Sequence, residues 1–181
     1  MLLVGILAML DRPASAQSRI ILVVADHRDP SSIPSSGDIF KTAYNTISAH
    51  LKRKGMIVRS VADIPSARKI SGKIERIMGL AVEVARNSSA RISTVLEVKI
   101  FISMHRGEKG NSFFLWIDDE ARDVAFGKVT ATHELRSRKR HNVEKSCRRD
   151  YMLQSAAEAI EPTAAEFAKA MAEKLKKAQK H

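Results

Sequence analysis

A long alternation of residue types between Ile92 and Met104 constrains the fold of this chain more than any other feature. One set of alternate positions is Ile92, Thr94, Leu96, Val98, Ile100, Ile102 and Met104. The more polar set between them is Ser93, Val95, Glu97, Lys99, Phe101 and Ser103. A period of two is typical of a β-strand with one face on a core and one face mostly in water. The residues that follow predict an antiparallel meander, with a turn at 105–112, a strand at Phe113–Ile117, a turn at Asp118–Arg122 and a returning strand at Val124–Thr132.

The sequence before this meander predicts a strand–helix–strand unit. Arg19–Ala25 is a continuous β-branched run, which is typical of a strand buried on both faces. Apolar residues then recur at helical spacing from Phe40 to Leu51, so we expect an amphipathic helix. This helix should end in the cations before Gly55, where the helix dipole favours positive charge and glycine can reverse the chain.

Three further elements complete the predicted order: a strand at Met56–Val61, a helix at Ile70–Asn87 and a C-terminal helix at 151–180. Pro162 should kink the last helix or begin a new one. The order is then β-α-β-α-β-β-β-α. Strand–helix–strand units make parallel neighbours and a meander makes antiparallel ones, so we expect an α/β domain with a mixed parallel and antiparallel sheet and helices packed on it.

The charge of the chain limits its partners. Its 181 residues carry a formal net charge of +11, which favours nucleic acid, acidic lipid, a polyanionic cell-wall polymer or an acidic protein surface. Cys147 is the one cysteine, which excludes an internal disulfide and a zinc cluster built on thiolates.

The N-terminus resembles an export signal. Leu2–Leu10 is apolar but too short to span a membrane, and Ala14-Ser15-Ala16 is a small-x-small pattern before Gln17. We therefore predict a cleaved signal peptide at 1–16 and a mature periplasmic domain at 17–181. A buried first strand or a retained membrane anchor would also fit these residues.

The connection at 134–150 is the most basic part of the chain and the predicted binding site. Its cations are Arg136, Arg138, Lys139, Arg140, Lys145, Arg148 and Arg149. A block of this kind creates a positive potential that attracts anionic surfaces and is screened by salt. A solvated loop with no partner is the alternative interpretation.

The residues offer little support for catalysis. Ser66 and Lys69 match a Ser-x-x-Lys pattern without its companion motifs. Thr132-His-Glu-Leu-Arg136 begins like a zinc-protease helix, but Ser137 stands where the second histidine is needed. We therefore predict a protein that is not an enzyme and holds no metal or cofactor.

Three stretches carry a resemblance to the domain shared by the TolB N-terminal part, CsgG, LpoB and FlgT. They are Leu51–Gly55 running into Met56–Val61, the helix at Ile74–Ala85 before the strand at Ile92–Met104, and Trp116–Val124. The resemblance implies an exported, non-enzymatic assembly or adaptor protein of the bacterial cell envelope. The chain differs from the lipid-anchored members in having no cysteine at the cleavage site, and from pore-forming members in lacking membrane hairpins.

Two functional hypotheses follow. The first is a periplasmic adaptor of an envelope machine, associated with the outer membrane, that binds a protein complex through its basic surface and can also form a homo-oligomer. The second is a cytoplasmic nucleic-acid-binding module that uses the segment 136–149 on phosphates, with affinity that falls steeply with salt.

Overall fold

The computed structural model describes residues 19–77, 79–107, 110–143 and 149–178, with the side chains of 149 and 150 excepted. Within these residues six strands form one mixed sheet in the order β2-β1-β3-β4-β5, and β6 pairs with the far part of β4. The strands are β1 (Ile20–Ala25), β2 (Ile57–Arg59), β3 (Thr94–Gly107), β4 (Gly110–Asp123), β5 (Val129–Arg136) and β6 (His141–Val143). The α/β fold class predicted from the sequence is confirmed.

The helices of the described residues pack on both faces of the sheet. They are α1 (Asp38–Arg53), α2 (Pro65–Arg68), α3 (Ser71–Ile74), α4 (Leu80–Arg86) and α5 (Arg149–Lys177), with a 3-10 turn at Val61–Asp63. β1 is parallel to β2 and β3, whereas β4 is antiparallel to β3, β5 and β6. No helix within the described ranges combines the length and apolarity needed to cross a bilayer.

The two long helices, α1 and α5, cover one face of the sheet, which we call the long-helix face. The apolar stripe of α1 and that of α5 enter the same core, with Leu51 and Leu175 both fully buried there. β3 contributes Leu96, Val98 and Ile100 to this core. Burial of these side chains, at about 1.5–3 kcal/mol each, holds the helices to the sheet.

The opposite face, which we call the short-helix face, is covered at one end by α2–α4. Leu22 and Val95 lie there against Ile74, Ala81 and Ala85. The single helix predicted at Ile70–Asn87 is wrong, because this stretch contains two short helices with a break between them. Gly79 has a φ of 83°, in the left-handed region that ends a helix, and Ile77 is 51% exposed. The apolar residues on either side therefore reach one small core from separate helices.

The hairpin of β3 and β4 is longer than the sequence indicated. The predicted turn at Asp118–Arg122 is wrong, because these residues lie within β4 and pair with β3 from Lys99↔Asp118 to Val95↔Arg122. The chain reverses at 124–128 instead, where Gly127 adopts a φ of 68°. The stretch is polar enough for a turn because Asp118, Glu120 and Arg122 share one face of the strand, while the polar Asp119 is buried on the other face.

The more polar face of β3 is also less wet than predicted. Val95 is fully buried under the short helices, and Glu97 and Phe101 are only 4% and 9% exposed. The helices α2–α4 cover only one end of this face. Glu97 and Phe101 are therefore buried by other side chains of the sheet and its loops.

The C-terminal part differs in its boundaries from the sequence expectation. The stretch 134–150 contains the end of β5 and the short strand β6, and α5 begins at Arg149 and continues through Pro162. The predicted signal at 1–16, Cys147 and the predicted site residues Lys145 and Arg148 lie outside the described residues.

Candidate binding surface on the short-helix face

Beyond the short helices, aromatic and arginine side chains cover the short-helix face. The rings of Phe101 and Trp116 are stacked, with centroids 4.9 Å apart. The guanidinium of Arg136 lies 6.0 Å from the centroid of Trp116, and that of Arg140 lies 5.0 Å from the centroid of Phe114. We call these five residues the aromatic surface. Cation–π attraction and stacking fix the side chains in place before any partner arrives.

Strand register explains how these residues meet. Phe101 of β3, Trp116 of β4 and Arg136 of β5 occupy successive cross-strand positions, so their side chains share one face. Arg136 also pairs with Glu134, with 3.0 Å between Nε and Oε1. Phe114 and Trp116 are half-buried and both arginines are exposed, so a partner could reach the surface directly.

A charged network separates the aromatic surface from the short helices. Arg28 Nε donates to Asp26 Oδ1 at 2.8 Å, and its Nη2 lies 3.5 Å from Glu97 Oε2. Lys99 Nζ lies 3.4 Å from Asp26 Oδ2, and Arg122 Nε lies 3.9 Å from Glu97 Oε2. The carboxylates therefore have cationic neighbours on two sides, which makes the network nearly balanced in charge.

Two carboxyl groups of this network differ in their electrostatics. Burial alone would raise the pKa of Asp26, but hydrogen bonds from Arg28 and the charge of Lys99 outweigh it and lower this pKa. Burial raises the pKa of Glu97, and the nearby Arg28 offsets only part of that effect. A buried carboxylate held between arginines anchors a loop to a sheet, and we assign the network this positioning role.

The predicted basic residues do not form one patch among the described residues. Arg136 and Arg140 belong to the aromatic surface, whereas the guanidinium of Arg138 pairs with Glu166 of α5. Lys139 is exposed and its carbonyl accepts a hydrogen bond from the Ser137 hydroxyl at 3.1 Å. Lys145, Arg148 and the side chain of Arg149 are not described, so the binding role of the whole segment stays a prediction.

The sequence interpretation missed the aromatic members of this surface. Phe101 was assigned to a wet strand face and Trp116 to an apolar strand, without the register that stacks them. A signal was present, since Phe114, Trp116 and Asp118 are alternate residues and so must share a face.

The other sites considered from the sequence bring together fewer functional side chains among the described residues. Ser66 and Lys69 are both exposed at α2. Within the described ranges no group of three metal-ligating side chains comes together.

His133 lies on β5 beside Lys174, 3.4 Å from Nζ to Nδ1, and stacks on Phe167. Burial, followed by the charge of Lys174, lowers its pKa. His133 therefore packs between β5 and α5 at the edge of the core.

An apolar cleft of about 520 Å³ opens beside β1, where β2 has already ended. Phe40 and Tyr44 of α1 form one wall, and Arg68 and Glu75 lie on the opposite wall. Its volume suits a small ligand. The aromatic surface combines stacked rings with exposed charged side chains, which is the chemistry of contact with a macromolecule, and it is therefore the better candidate site.

Comparison with known proteins supports the fold. No protein-family model matches the chain, and no curated protein matches it. Among solved structures, lipoprotein GNA1162 of Neisseria meningitidis is similar over 82% of this chain and 99% of its own, with 14% identity and a TM-score of 0.51. Protein XCC0632 of Xanthomonas campestris, of the DUF330 family, is similar over 91% of this chain and 89% of its own, with 9% identity and a TM-score of 0.50. Similarity at this level shows a shared fold, so the resemblance to the TolB, CsgG, LpoB and FlgT group stays a prediction.

Proposed function

We propose that this protein is an exported, non-enzymatic adaptor of a bacterial cell-envelope assembly that binds a protein partner through its aromatic surface. The observation that carries the proposal is the Phe101–Trp116 stack with Arg136 beside it. Tryptophan and arginine are enriched among the residues that dominate binding energy at protein interfaces. Their rigid placement on a sheet lowers the entropy lost on binding.

Charge at the edge of the aromatic surface also favours a protein over a polyanion. Arg136 already pairs with Glu134, and Asp118 lies in the same row of alternate residues on β4. A mixed-sign rim of this kind suits a protein surface with complementary charges, whereas a polyanion gains less from cations that already pair with carboxylates, as Arg136 does with Glu134 and Lys99 with Asp118. In this proposal the described cations of the segment 136–149 contribute to the surface, and the binding role predicted for the whole segment stays a prediction.

The envelope location rests on separate support. Residues 1–16 have the pattern of an export signal, and one of the proteins that share the fold is a lipoprotein. The resemblance in element order to envelope assembly proteins agrees with both. The proposed mature protein begins at Gln17 in the periplasm.

A photo-crosslinking amino acid at position 114 tests the partner surface in cells. We expect an adduct with an envelope protein, and we expect Trp116→Ala to reduce its yield about tenfold or more. The same crosslinker at the exposed position 69 on the short helices is the control and should give no such adduct. Equal adducts from both positions would contradict the proposed surface. An adduct of twice the chain mass would identify a second copy as the partner.

The export step is tested by the intact mass and cell fraction of the native protein. A periplasmic chain that begins at Gln17 would support the proposal. A cytoplasmic chain that begins at Met1 would contradict it and would direct attention to the nucleic-acid hypothesis, for which salt-dependent binding is the measurement.

A further inference from the structure

Two helices end at the same end of the molecule, although their last residues, Arg53 and Lys177, are more than one hundred positions apart in the chain. α1 and α5 both end where β1 begins, since Met56 pairs back to Leu51 before β2 and the Arg19 guanidinium donates to the Leu175 carbonyl at 2.8 Å. Their last residues bring cations to one place. We define the basic pole as Lys52, Arg53, Lys54, Lys128, Lys176 and Lys177, all of which are exposed.

The turn between β4 and β5 lies at this pole and contributes both charge and an exposed aromatic ring. Asp123 N donates to the Lys128 carbonyl at 2.9 Å, and Val124 N donates to the Ser93 carbonyl at the start of β3. Phe126, at the tip of the turn, is 79% exposed. The turn is rigid because the Arg86 guanidinium donates to the Val124 carbonyl at 2.9 Å and 3.1 Å.

The balance of charge at the pole is strongly positive. In the segments 52–56, 123–129 and 173–178, the carboxylates are Asp123 and Glu173. Asp123 Oδ1 already accepts a hydrogen bond from Phe126 N at 2.9 Å. A surface of this sign attracts a polyanion over a distance of about 8 Å at physiological salt.

The arrangement favours a bilayer over nucleic acid. The helix termini at the pole are C-termini, whose negative dipole ends do not bind individual phosphates, so the lysines act as a spread of charge rather than a phosphate pocket. Among the described residues no arginine or aromatic ring stacks on Phe126 to help it hold a base, whereas an isolated exposed Phe enters the boundary between headgroups and acyl chains readily.

The chain enters the domain at this same pole. Residue 18 is joined to Arg19, so the proposed mature chain, which begins at Gln17, enters the domain there. We propose that the basic pole docks on a bilayer containing anionic phospholipid, with its lysines and Arg53 on the headgroups and Phe126 below them. The aromatic surface lies toward the other end of β3 and stays free for its partner.

Co-sedimentation of the full chain with vesicles tests this docking. The vesicles contain phosphatidylethanolamine with phosphatidylglycerol, or phosphatidylethanolamine with uncharged phosphatidylcholine. We expect binding to the anionic vesicles that falls as salt is raised, because each cation near the surface strengthens binding about fivefold at low salt. Binding that is equal on both vesicles would overturn the proposal, because the apolar N-terminal stretch alone would then account for it.

Charge-matched variants locate the effect. Lys176→Gln with Lys177→Gln should weaken binding to the anionic vesicles about twentyfold. Lys139→Gln with Arg106→Gln, two exposed cations at the other end of the sheet, removes the same charge far from the pole and should change binding less than about twofold. Phe126→Ser should give a severalfold loss that persists at high salt. Equal losses from the two double variants would overturn the proposal. So would duplex DNA that competes with the vesicles while Phe126→Ser has no effect.

Discussion

The basic segment at 136–149 and the basic pole have similar charge but opposite origins. The segment is contiguous in sequence, yet its described cations separate in the fold: Arg136 and Arg140 lie over aromatic rings, while Arg138 pairs with Glu166 of α5. The pole is dispersed in sequence, yet its cations converge because two helices and one turn end together. Density of charge along a chain therefore predicts surface potential less well than topology does.

The difference has a physical basis in local geometry. Arg136 is the last residue of β5, whereas Arg138, Lys139 and Arg140 lie in the irregular connection to β6, where no repeating backbone geometry gives their side chains a common direction. A helix C-terminus instead attracts cations to its last turn, and parallel helices on one sheet face place those turns side by side. Four experiments test this difference between the two regions.

The largest expected effect is on the packing that assembles the pole. Leu175 is fully buried in the core shared by α1 and α5, so Leu175→Ala should lower the free energy of unfolding by about 2–5 kcal/mol. Leu153→Ala, in the half-buried first part of α5, is the matched control and should cost about 1 kcal/mol. Urea denaturation measures both. Equal costs would mean that α5 is held no more firmly at the pole than near the basic segment.

A carboxyl group whose burial outweighs the opposing charge of Lys174 should give the next effect, as a pH dependence of stability. Asp119, on the long-helix face, is 4% exposed, and burial raises its pKa to about 8. Its Oδ1 accepts a hydrogen bond from His133 N at 2.9 Å, which partly offsets the rise. The folded state therefore holds this proton more tightly than the unfolded chain, whose aspartate titrates near pH 3.9.

The sign of the Asp119 effect follows from linkage. The contribution of Asp119 to the free energy of unfolding should be fully present below about pH 4. It should be lost as pH rises toward 8, by at most about 1.4 kcal/mol per pH unit. Asp119→Asn should remove this part of the slope in urea titrations between about pH 5 and 8. Asp118→Asn, one residue away on the other face, should retain it. A slope that Asp119→Asn leaves unchanged would contradict the assignment. His133 titrates in both proteins, so their difference isolates Asp119.

Replacing one arginine in each region should change the free energy of unfolding by smaller and unequal amounts. Arg86→Met leaves the buried Val124 carbonyl without its donor at the pole, and should cost about 1–2 kcal/mol of unfolding free energy. Arg138→Met breaks an exposed ion pair with Glu166, so thermal unfolding should show little change. A larger loss for Arg138→Met would show that the basic segment stabilises the fold more than its exposure suggests.

The smallest effect is spectroscopic and needs no mutation. Trp116 is the one tryptophan, and it lies in the aromatic surface. Anionic vesicles at the pole should leave its emission maximum unchanged, whereas an envelope partner on the aromatic surface should shift it to shorter wavelength as water is excluded. A shift with vesicles alone would place the membrane on the aromatic surface.

Much of the fold could be predicted because periodicity records burial directly. The β-branched run before Asp26 became β1, and the apolar stripe from Phe40 to Leu51 became α1 within one or two residues of the expected limits. The prediction failed where a pattern has two physical readings. Asp118–Arg122 is polar enough for a turn, but it is part of β4. Asp118 lies opposite Lys99 and Glu120 lies opposite Glu97, while Asp119 and Ala121 between them are buried.

The candidate site was less predictable for a related reason. Arg136 and Arg140 were singled out by charge alone, and nothing in the local sequence showed that their partners are Trp116 and Phe114. Those pairs depend on strand register, which is set by the whole sheet.

The sequence by itself determined the kinds of element, the mixed sheet and the excess of positive charge, because these follow from the spacing and type of neighbouring residues. Only the tertiary structure decided which cations meet. Lys54, Lys128 and Lys176 lie at one pole because α1, the β4–β5 turn and α5 all end there: Ile57 N donates to the Arg19 carbonyl, Val124 N to the Ser93 carbonyl, and the Arg19 guanidinium to the Leu175 carbonyl. Contacts between residues far apart in the chain set such surfaces, and no local pattern encodes them.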